Sequence, residues 1–226
     1  MTAGAAAGFR HRYAAWSLDA AVLLLATIAL AWPKLRVAAA AMGQAWLALW
    51  SGAGTAVAEA MMAGTPAPAL ARDLLHDPRL QSAAGALQSA LWQLLWPLLL
   101  GYAVLGTAWH VLGVASPLQC SPGKRAFGLR VVDLQGARPR FARALGRHLA
   151  AGLSWLTLNI GHLVALPSPH RALHDRIAGT RVLRDADTRR LPRTATAWIA
   201  LQLLAALVLL AWLLRRYVVA LDAAFG

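Results

Sequence analysis

Residues 12–32 read RYAAWSLDAAVLLLATIALAW, a basic start followed by an apolar run that contains a single aspartate, Asp19. Residues 14–32 are long enough to cross a bilayer as a helix, since about 20 apolar residues span the hydrocarbon core. The aspartate, and a run longer than the usual ~7–15 residues of a signal peptide's apolar region, predict a retained anchor and not a cleaved leader. Pro33 and Lys34 are expected to end this helix.

Two later stretches, residues 91–114 and 196–214, are also apolar, and tryptophans near both of their ends fit an aromatic belt. Hydrophobic residues make up 59% of the chain and charged residues only 14%, against roughly 25% charged residues in soluble domains. A soluble protein of 226 residues would have no place to bury that apolar surface. The sequence therefore predicts an all-α membrane protein with three transmembrane helices.

The basic residues predict which parts of the chain face the cytoplasm. The net charge is +13, and residues 116–147 and 167–195 each contain seven of the 22 basic residues. Because lysine and arginine accumulate in cytoplasmic loops, we expect both segments, and the N-terminus, on the cytoplasmic side of a multi-pass bacterial inner-membrane protein. Contacts with the bilayer and with anionic lipid headgroups are expected there. Nucleic acid is not an expected partner, because the basic segments lack interleaved aromatic residues.

Two segments do not fit a simple series of spans. Residues 148–166 are apolar but connect two segments assigned to the same side, so we expect a re-entrant or interfacial helical segment, broken near residues 159–161. Residues 33–90 are expected to form an extracytoplasmic insertion. Within it, residues 37–62 are interpreted as an interfacial helix or one packed on the bundle, with a further transmembrane helix as the alternative. Residues 66–79 are expected to be loop.

Short strands are predicted in the two basic segments. Residues 129–133, followed by Gln135 and Gly136, have the composition of a strand and a turn, and residues 180–183 show the same alternation. Pairing of the two would form a small cytoplasmic cap resembling a β-hairpin, which requires both segments to lie on one side of the membrane.

Three motifs, in order, make the chain resemble the RDD family of prokaryotic membrane proteins. They are RYAAWSLD at residues 12–19, SPGKRAFGLRVVD at residues 121–133 and LHDRIAGTRV at residues 173–182. The resemblance covers residues 9–185 and implies a single polytopic membrane domain, with ion transport suggested for some members. The chain departs from the usual pattern in its insertion and in an additional C-terminal transmembrane helix within residues 196–226.

The resemblance singles out Arg12, Asp19 and Asp175 as an ion-pair or transport network. Arg12 and Asp19 are seven residues apart and therefore lie on nearly the same face of a helix. We expect Arg12 to pair with Asp175, and Asp19, costly inside a membrane, to find a basic partner in the later motifs. The supporting motif residues are Gly123, Lys124, Arg130, His174, Arg176 and Arg181, and the candidate partners of Asp19 are Lys124, Arg125, Arg176 and Arg181.

Three interpretations of this network remain open. It is a purely structural clip, or Asp19 binds a small cation, proton or solute alternately from the two sides, or the protein is a non-transporting scaffold or assembly subunit of a membrane complex. Membrane protein partners or a second copy of the chain are candidates for such an assembly. No nucleophile and base pair shows an interpretable spacing, so no enzyme, cofactor or metal site is expected. Gly123-Lys124 lacks the rest of a phosphate-binding loop.

Overall fold

The computed structural model describes residues 4–156, 163–167, 169–184 and 190–225. The chain is mostly helical, at 76%, with one two-stranded antiparallel sheet among the described residues, which confirms the predicted fold class. Among those residues, three helices are long and apolar enough to cross a membrane: α1 (Phe9–Met62), α3 (Pro78–Ala115) and α7 (Arg193–Phe225). The shorter elements are α2 (Ala67–His76), α4 (Pro122–Ala126), β1 (Leu129–Asp133), α5 (Phe141–Leu156), α6 (Leu173–Ile177) and β2 (Thr180–Arg184).

The predicted end of the first helix at Pro33 is wrong, because α1 continues through Pro33 to Met62. The alanine-rich residues after the proline have high helix propensity, and apolar membrane helices tolerate proline in their interior. Residues 37–62 are therefore the continuation of α1 and not a separate helix. Their placement outside the membrane stays a prediction.

Three further boundaries differ from the predicted ones. The stretch interpreted as loop at residues 66–79 contains α2, which begins directly after Pro66 and has a second proline in its first turn. Helix α3 begins at Pro78, since proline is well tolerated at the first helical position. Helix α7 is longer at both ends than the predicted residues 196–214. For α3 and α7 the sequence predicts the apolar core of the span but not its helical extensions.

The chain divides into two compact units. The unit formed by residues 23–105 contains most of α1 and α3. Within it a Cβ added at Gly101 would lie only 2.8 Å from Thr27 Cγ2, so the absence of a side chain lets the two helices approach closely. The Thr27 hydroxyl donates a 2.7 Å hydrogen bond to the carbonyl oxygen of Leu23, which satisfies this buried polar group within its own helix.

The other unit, residues 1–22 together with 106–226, contains the sheet. Strands β1 and β2 pair with each other, as the sequence predicts. The pairing is antiparallel, with Leu129 opposite Arg184 and Asp133 opposite Thr180, so β2 extends one residue beyond the predicted 180–183. An unpredicted element joins them: the chain just before α1 runs along β2, where the Ala7 amide donates to the Val182 carbonyl at 2.9 Å. The first helix is thus joined by backbone hydrogen bonds to the cap.

The core of this second unit lies between the sheet and the ends of the long helices. Small residues of α1 allow the sheet to approach the helix, and β-branched residues of α3 and the strands fill the space between them. The buried residues are Ala7, Ala14, Ala15, Val111, Val114, Phe127, Leu129, Val131, Ala144, Val182 and Ala195.

Helix α5 begins seven residues before the apolar segment predicted at residues 148–166. One face, with Ala144, Arg147 and Ala150, is buried, whereas Leu149 and Leu153 on the opposite side are 62% and 51% exposed. An amphipathic helix with an exposed apolar face suits a position at the membrane interface. The break expected near residues 159–161 lies outside the described residues, so the choice between a re-entrant and an interfacial segment stays a prediction.

Candidate functional site

Asp175, in α6, is fully buried and forms ion pairs with two arginines from different helices. Its Oδ1 accepts hydrogen bonds from Arg147 Nε at 3.0 Å and Nη2 at 2.8 Å, and its Oδ2 accepts one from Arg12 Nη1. Oδ2 also accepts from the Ala172 amide at 3.2 Å, which caps the short helix. Burial by itself would raise the pKa of Asp175, but Arg147, Arg12 and His174 outweigh it and hold the pKa well below its usual value. The carboxylate is therefore charged at physiological pH.

Arg12, in the first turn of α1, connects three parts of the chain through one guanidinium group. Its Nε donates to the Ala7 carbonyl at 2.9 Å, its Nη1 donates to Asp175, and its Nη2 donates to the carbonyl of His170. The predicted pairing of Arg12 with Asp175 is therefore present. Because the planar guanidinium group presents donors in fixed directions, it fixes both the strand-like start of the chain and the segment before α6.

Asp19, two turns further along α1, is 1% exposed and is satisfied by uncharged donors. Its Oδ1 accepts from the Trp109 indole at 2.8 Å and from the Gly123 amide at 2.7 Å, and its Oδ2 accepts from the Ser121 hydroxyl at 2.5 Å. The expected direct basic partner is not found among the described residues. Hydrogen bonds to a charged carboxylate are roughly twice as strong as neutral ones, and these three donors take over its solvation.

Lys124 is near Asp19 but reaches it through a hydroxyl group. Its Nζ donates to Ser121 Oγ at 3.1 Å, and that same hydroxyl donates to the carboxylate. Part of the residue's surface remains exposed, but its ammonium group is enclosed by protein. Burial, and then the charge of Arg147, lower the pKa of Lys124 to about 8, while Asp19 and Asp175 act in the opposite direction.

Two histidines extend the polar cluster from Lys124 toward α3 and α5. The rings of His110 and His148 stack with their centroids 5.7 Å apart, and His148 Nε2 lies 3.2 Å from the Thr107 hydroxyl. Burial, followed by the nearby charges of Arg147 and Lys124, lowers the pKa of His148. His148 is therefore uncharged and adds no further positive charge to the cluster, in which the cations Arg12, Lys124 and Arg147 already outnumber the carboxylates Asp19 and Asp175.

A model of the RDD family matches residues 6–179, which include Arg12, Asp19, Asp175 and all the donors described above. The chain belongs to the RDD family of prokaryotic membrane proteins. A similar protein is the uncharacterized protein YxaI of Bacillus subtilis (strain 168), 34% identical over 87 residues. The matched part is 38% of this chain and 58% of that relative, so the chain spans just over half of the relative's length. No solved structure matches this RDD protein.

The remaining motif residues lie around the network and not in contact with Asp19. His174 is buried beside Arg147, whose Nη2 is 3.1 Å from His174 Nε2. Arg176 and Arg181 are exposed, and Arg176 Nε donates only a long 3.4 Å hydrogen bond to a backbone carbonyl. Arg130 lies within β1 opposite Leu183. Among the four candidate partners of Asp19, the structure brings only Lys124 close.

Gly123, which the sequence marks only as a supporting motif residue, makes a close contact with α1 that the motif does not predict. A Cβ at this position would lie 2.8 Å from the Asp19 carboxylate and would collide with the carbonyl oxygen of Ala15. The glycine therefore lets the backbone of α4 touch α1, so that its amide can donate to Asp19. The position needs glycine for close approach and not for an unusual φ angle.

Replacing Gly123 by alanine is expected to lower the free energy of unfolding by about 2 kcal/mol, because the added methyl group forces α4 away from α1 and weakens the Asp19 hydrogen bond. Alanine at Gly146, where nothing lies within 4 Å of the added Cβ, is the matched control. Unfolding in mixed detergent micelles, followed by tryptophan fluorescence, measures both. Equal stability of the two variants would contradict the close-approach role.

Arg147 is the main residue of the site that was not singled out from the sequence. It appears there as one of seven basic residues in a segment interpreted as cytoplasmic. A usable signal was its spacing: Ala144, Arg147, Ala150 and Ser154 recur every three or four residues and form the buried face of α5. An arginine on a stripe of small residues needs a buried anion, and Asp175 supplies it.

Proposed function

We propose that this RDD protein is a multi-pass protein of the bacterial inner membrane, with its N-terminus in the cytoplasm, and that it acts as a scaffold or assembly subunit. In this proposal the Arg12–Asp175–Arg147 network and Asp19 hold the basic cap against the membrane helices. The orientation is supported by the fourteen basic residues in the two cap segments, since such segments are retained on the cytoplasmic side.

One observation carries the proposal: the groups around Asp19 are hydrogen-bond donors. A cation site needs oxygen acceptors converging on the ion, whereas the Trp109 indole, the Ser121 hydroxyl and the Gly123 amide all direct hydrogens at the carboxylate. These three donors already occupy most of the roughly four lone-pair sites of the carboxylate, and a cation would also share its surroundings with the nearby ammonium of Lys124. The arrangement suits a side chain that fastens α4 to α1.

The fastened cap presents unpaired positive charge beside the membrane. Arg125, Arg176 and Arg181 are exposed, and none of them forms an ion pair with a carboxylate in the part of the chain that the structure describes. An acidic surface of another membrane protein, or of a second copy, is the complementary partner. The network would determine the geometry of this surface without contacting the partner itself.

Flux measurements on Asp19→Asn separate this proposal from transport. We expect proteoliposomes containing the wild type to show no more sodium, potassium or proton flux than protein-free liposomes. We expect Asp19→Asn to lower the free energy of unfolding by about 1–3 kcal/mol, since asparagine loses the charge that the three donors solvate. Flux by the wild type that disappears in a folded Asp19→Asn variant would overturn the scaffold proposal.

The assembly itself is tested on native gels of membranes solubilised in mild detergent. The wild type is expected to migrate in a complex larger than the purified chain, and the double change Arg176→Gln with Arg181→Gln should release it. The double change Arg215→Gln with Arg216→Gln removes the same charge at the far end of α7 and is the control. A wild type that migrates as the purified chain would contradict an assembly role.

Proton-coupled translocation is the second candidate, and the enclosed ammonium of Lys124 favours it. Ionisable groups inside membrane proteins often mark proton pathways, and a pKa of about 8 lets Lys124 exchange a proton near physiological pH. Proton flux in proteoliposomes that is abolished by Lys124→Met, with folding intact, would support this candidate over the scaffold.

A further inference from the structure

An open groove of about 680 Å³ lies where the end of α3 meets the loop before α5. Its lining includes Leu112 and Ala115 of α3 together with Phe141, the first residue of α5, and these apolar residues are called the apolar wall below. Arg138 and Arg140 also line the groove and are called the basic wall. None of these residues belongs to the Asp19 and Asp175 network, so the groove has no role in holding the cap to the helices.

The apolar wall continues the exposed apolar surface of α3. Leu112 is 60% exposed and Phe141 is 56% exposed, although neither side chain is polar. Helix α3 is one of the helices long and apolar enough to span the bilayer, and Leu112 lies one turn from its end. This wall is therefore positioned at the boundary between hydrocarbon and headgroups, where exposed leucine and phenylalanine contact acyl chains at no cost.

The basic wall is held in place and is not neutralised. Pro139, between the two arginines, is fully buried, so it anchors the segment from which they project. Both arginines are exposed, and in the described ranges neither forms an ion pair. Arg143, three residues further on, differs because it pairs with Asp133 at 3.1 Å. Two uncompensated guanidinium groups thus face one groove.

We infer that this groove binds an anionic phospholipid, with Arg138 and Arg140 holding the headgroup phosphate and the acyl chains lying along Leu112 and Phe141. Guanidinium groups bind phosphate oxygens in a bidentate manner, and each basic residue near an anionic membrane surface contributes favourable binding energy. A soluble phosphate would use the basic wall but would gain nothing from the apolar one. The combination of a basic and an apolar wall therefore favours an anionic lipid over a soluble anion as the ligand.

Native mass spectrometry of the full chain in detergent tests this inference, with phosphatidylglycerol and phosphatidylcholine added as matched probes. We expect the wild type to bind phosphatidylglycerol preferentially. Changing Arg138 and Arg140 together to glutamine should weaken its binding about 10–30-fold, at about 1 kcal/mol for each basic residue removed. The equal charge change Arg215→Gln with Arg216→Gln, at exposed positions of α7 that do not line the groove, should leave the affinity within about threefold of wild type.

Two further measurements distinguish a lipid site from a soluble-anion site. Phe141→Ser removes the largest side chain of the apolar wall and keeps both charges, so it should weaken phosphatidylglycerol binding. Inorganic phosphate at millimolar concentration, by contrast, should not displace the lipid. Displacement by phosphate would indicate a soluble-anion site and overturn the proposal. Equal binding of the two lipids, or equal losses in the two arginine pairs, would overturn it as well. If the double variant does not fold, the single changes at Arg138 and Arg140 replace it.

Discussion

Asparagine in place of Asp175 is expected to lower the free energy of unfolding by about 3–5 kcal/mol. The substitution keeps the shape of the side chain but leaves the charges of Arg12 and Arg147 buried without their anion. Removing one member of a buried ion pair costs more than the pair contributes, because the remaining charge stays desolvated. Here one change leaves two cations in that state.

Unfolding of the purified protein in mixed detergent micelles measures this effect, and Cys120 supplies a second readout. This single cysteine is 7% exposed and precedes Ser121 of the Asp19 site, so its reaction with a thiol reagent reports opening of the cap. We expect Asp175→Asn to accelerate the reaction strongly. Glu59→Gln is the control, since Glu59 pairs with Arg79 on the surface, with both side chains more than half exposed. Exposed pairs contribute about 0–1 kcal/mol.

A change in stability of less than about 1 kcal/mol on replacing Asp175 would contradict the proposal that the Arg12–Asp175–Arg147 network holds the cap, because exposed ion pairs contribute no more than that. Slow reaction of Cys120 in a destabilised Asp175→Asn variant would also be informative. It would mean that unfolding involves the whole unit at once and does not begin at the cap.

The pairing of Arg12 with Asp175 could be predicted because it follows from topology as well as from motifs. Once both residues are assigned to the cytoplasmic end of the membrane domain, a buried carboxylate and an arginine at a helix start are natural partners. The two strands could be predicted for a similar reason, since residues 129–133 and 180–184 are short and rich in β-branched residues.

The surroundings of Asp19 could not be predicted in the same way. Its charge alone suggests an opposite charge as partner, whereas the structure solvates it with an indole, a hydroxyl and a backbone amide. Which neutral donors converge on a buried carboxylate depends on how α4 packs on α1. That packing depends on Gly123, whose missing side chain gives no local signal of its contact.

The helix boundaries were missed for a different reason. The length needed to cross a bilayer predicts where an apolar span ends and not where its helix ends. Pro33 removes one backbone hydrogen bond without ending α1, and the polar residues before residue 91 continue α3. Helix length and membrane thickness are separate quantities, because a helix that extends beyond the bilayer is stabilised by its own propensity and packing.

Replacing Lys124 by methionine is expected to change how stability depends on pH. In the folded wild type the pKa of Lys124 is about 8, against 10.5 for the unconstrained side chain, because burial and then the charge of Arg147 lower it by more than Asp19 and Asp175 raise it. Between those two values the unfolded chain binds the extra proton, so the stability of the wild type rises with pH. The full difference corresponds to about 3 kcal/mol, at 1.36 kcal/mol for each pH unit.

The stability contributed by the deprotonated amine is therefore complete above about pH 10.5 and is lost as the pH falls through about 8. Unfolding of wild type and Lys124→Met, compared from pH 7 to pH 10 by tryptophan fluorescence, should show the wild type gaining roughly 2–3 kcal/mol relative to the variant. Lys34→Met is the matched control, since the other lysine of the chain is exposed in α1 and its loss should leave the pH profile unchanged. Parallel pH profiles of stability for wild type and Lys124→Met would contradict this expectation and would mean that water reaches the ammonium group of Lys124. Asp19 would then lie next to a cation in contact with water. In that case the neutral donors around Asp19 would no longer argue against a cation pathway.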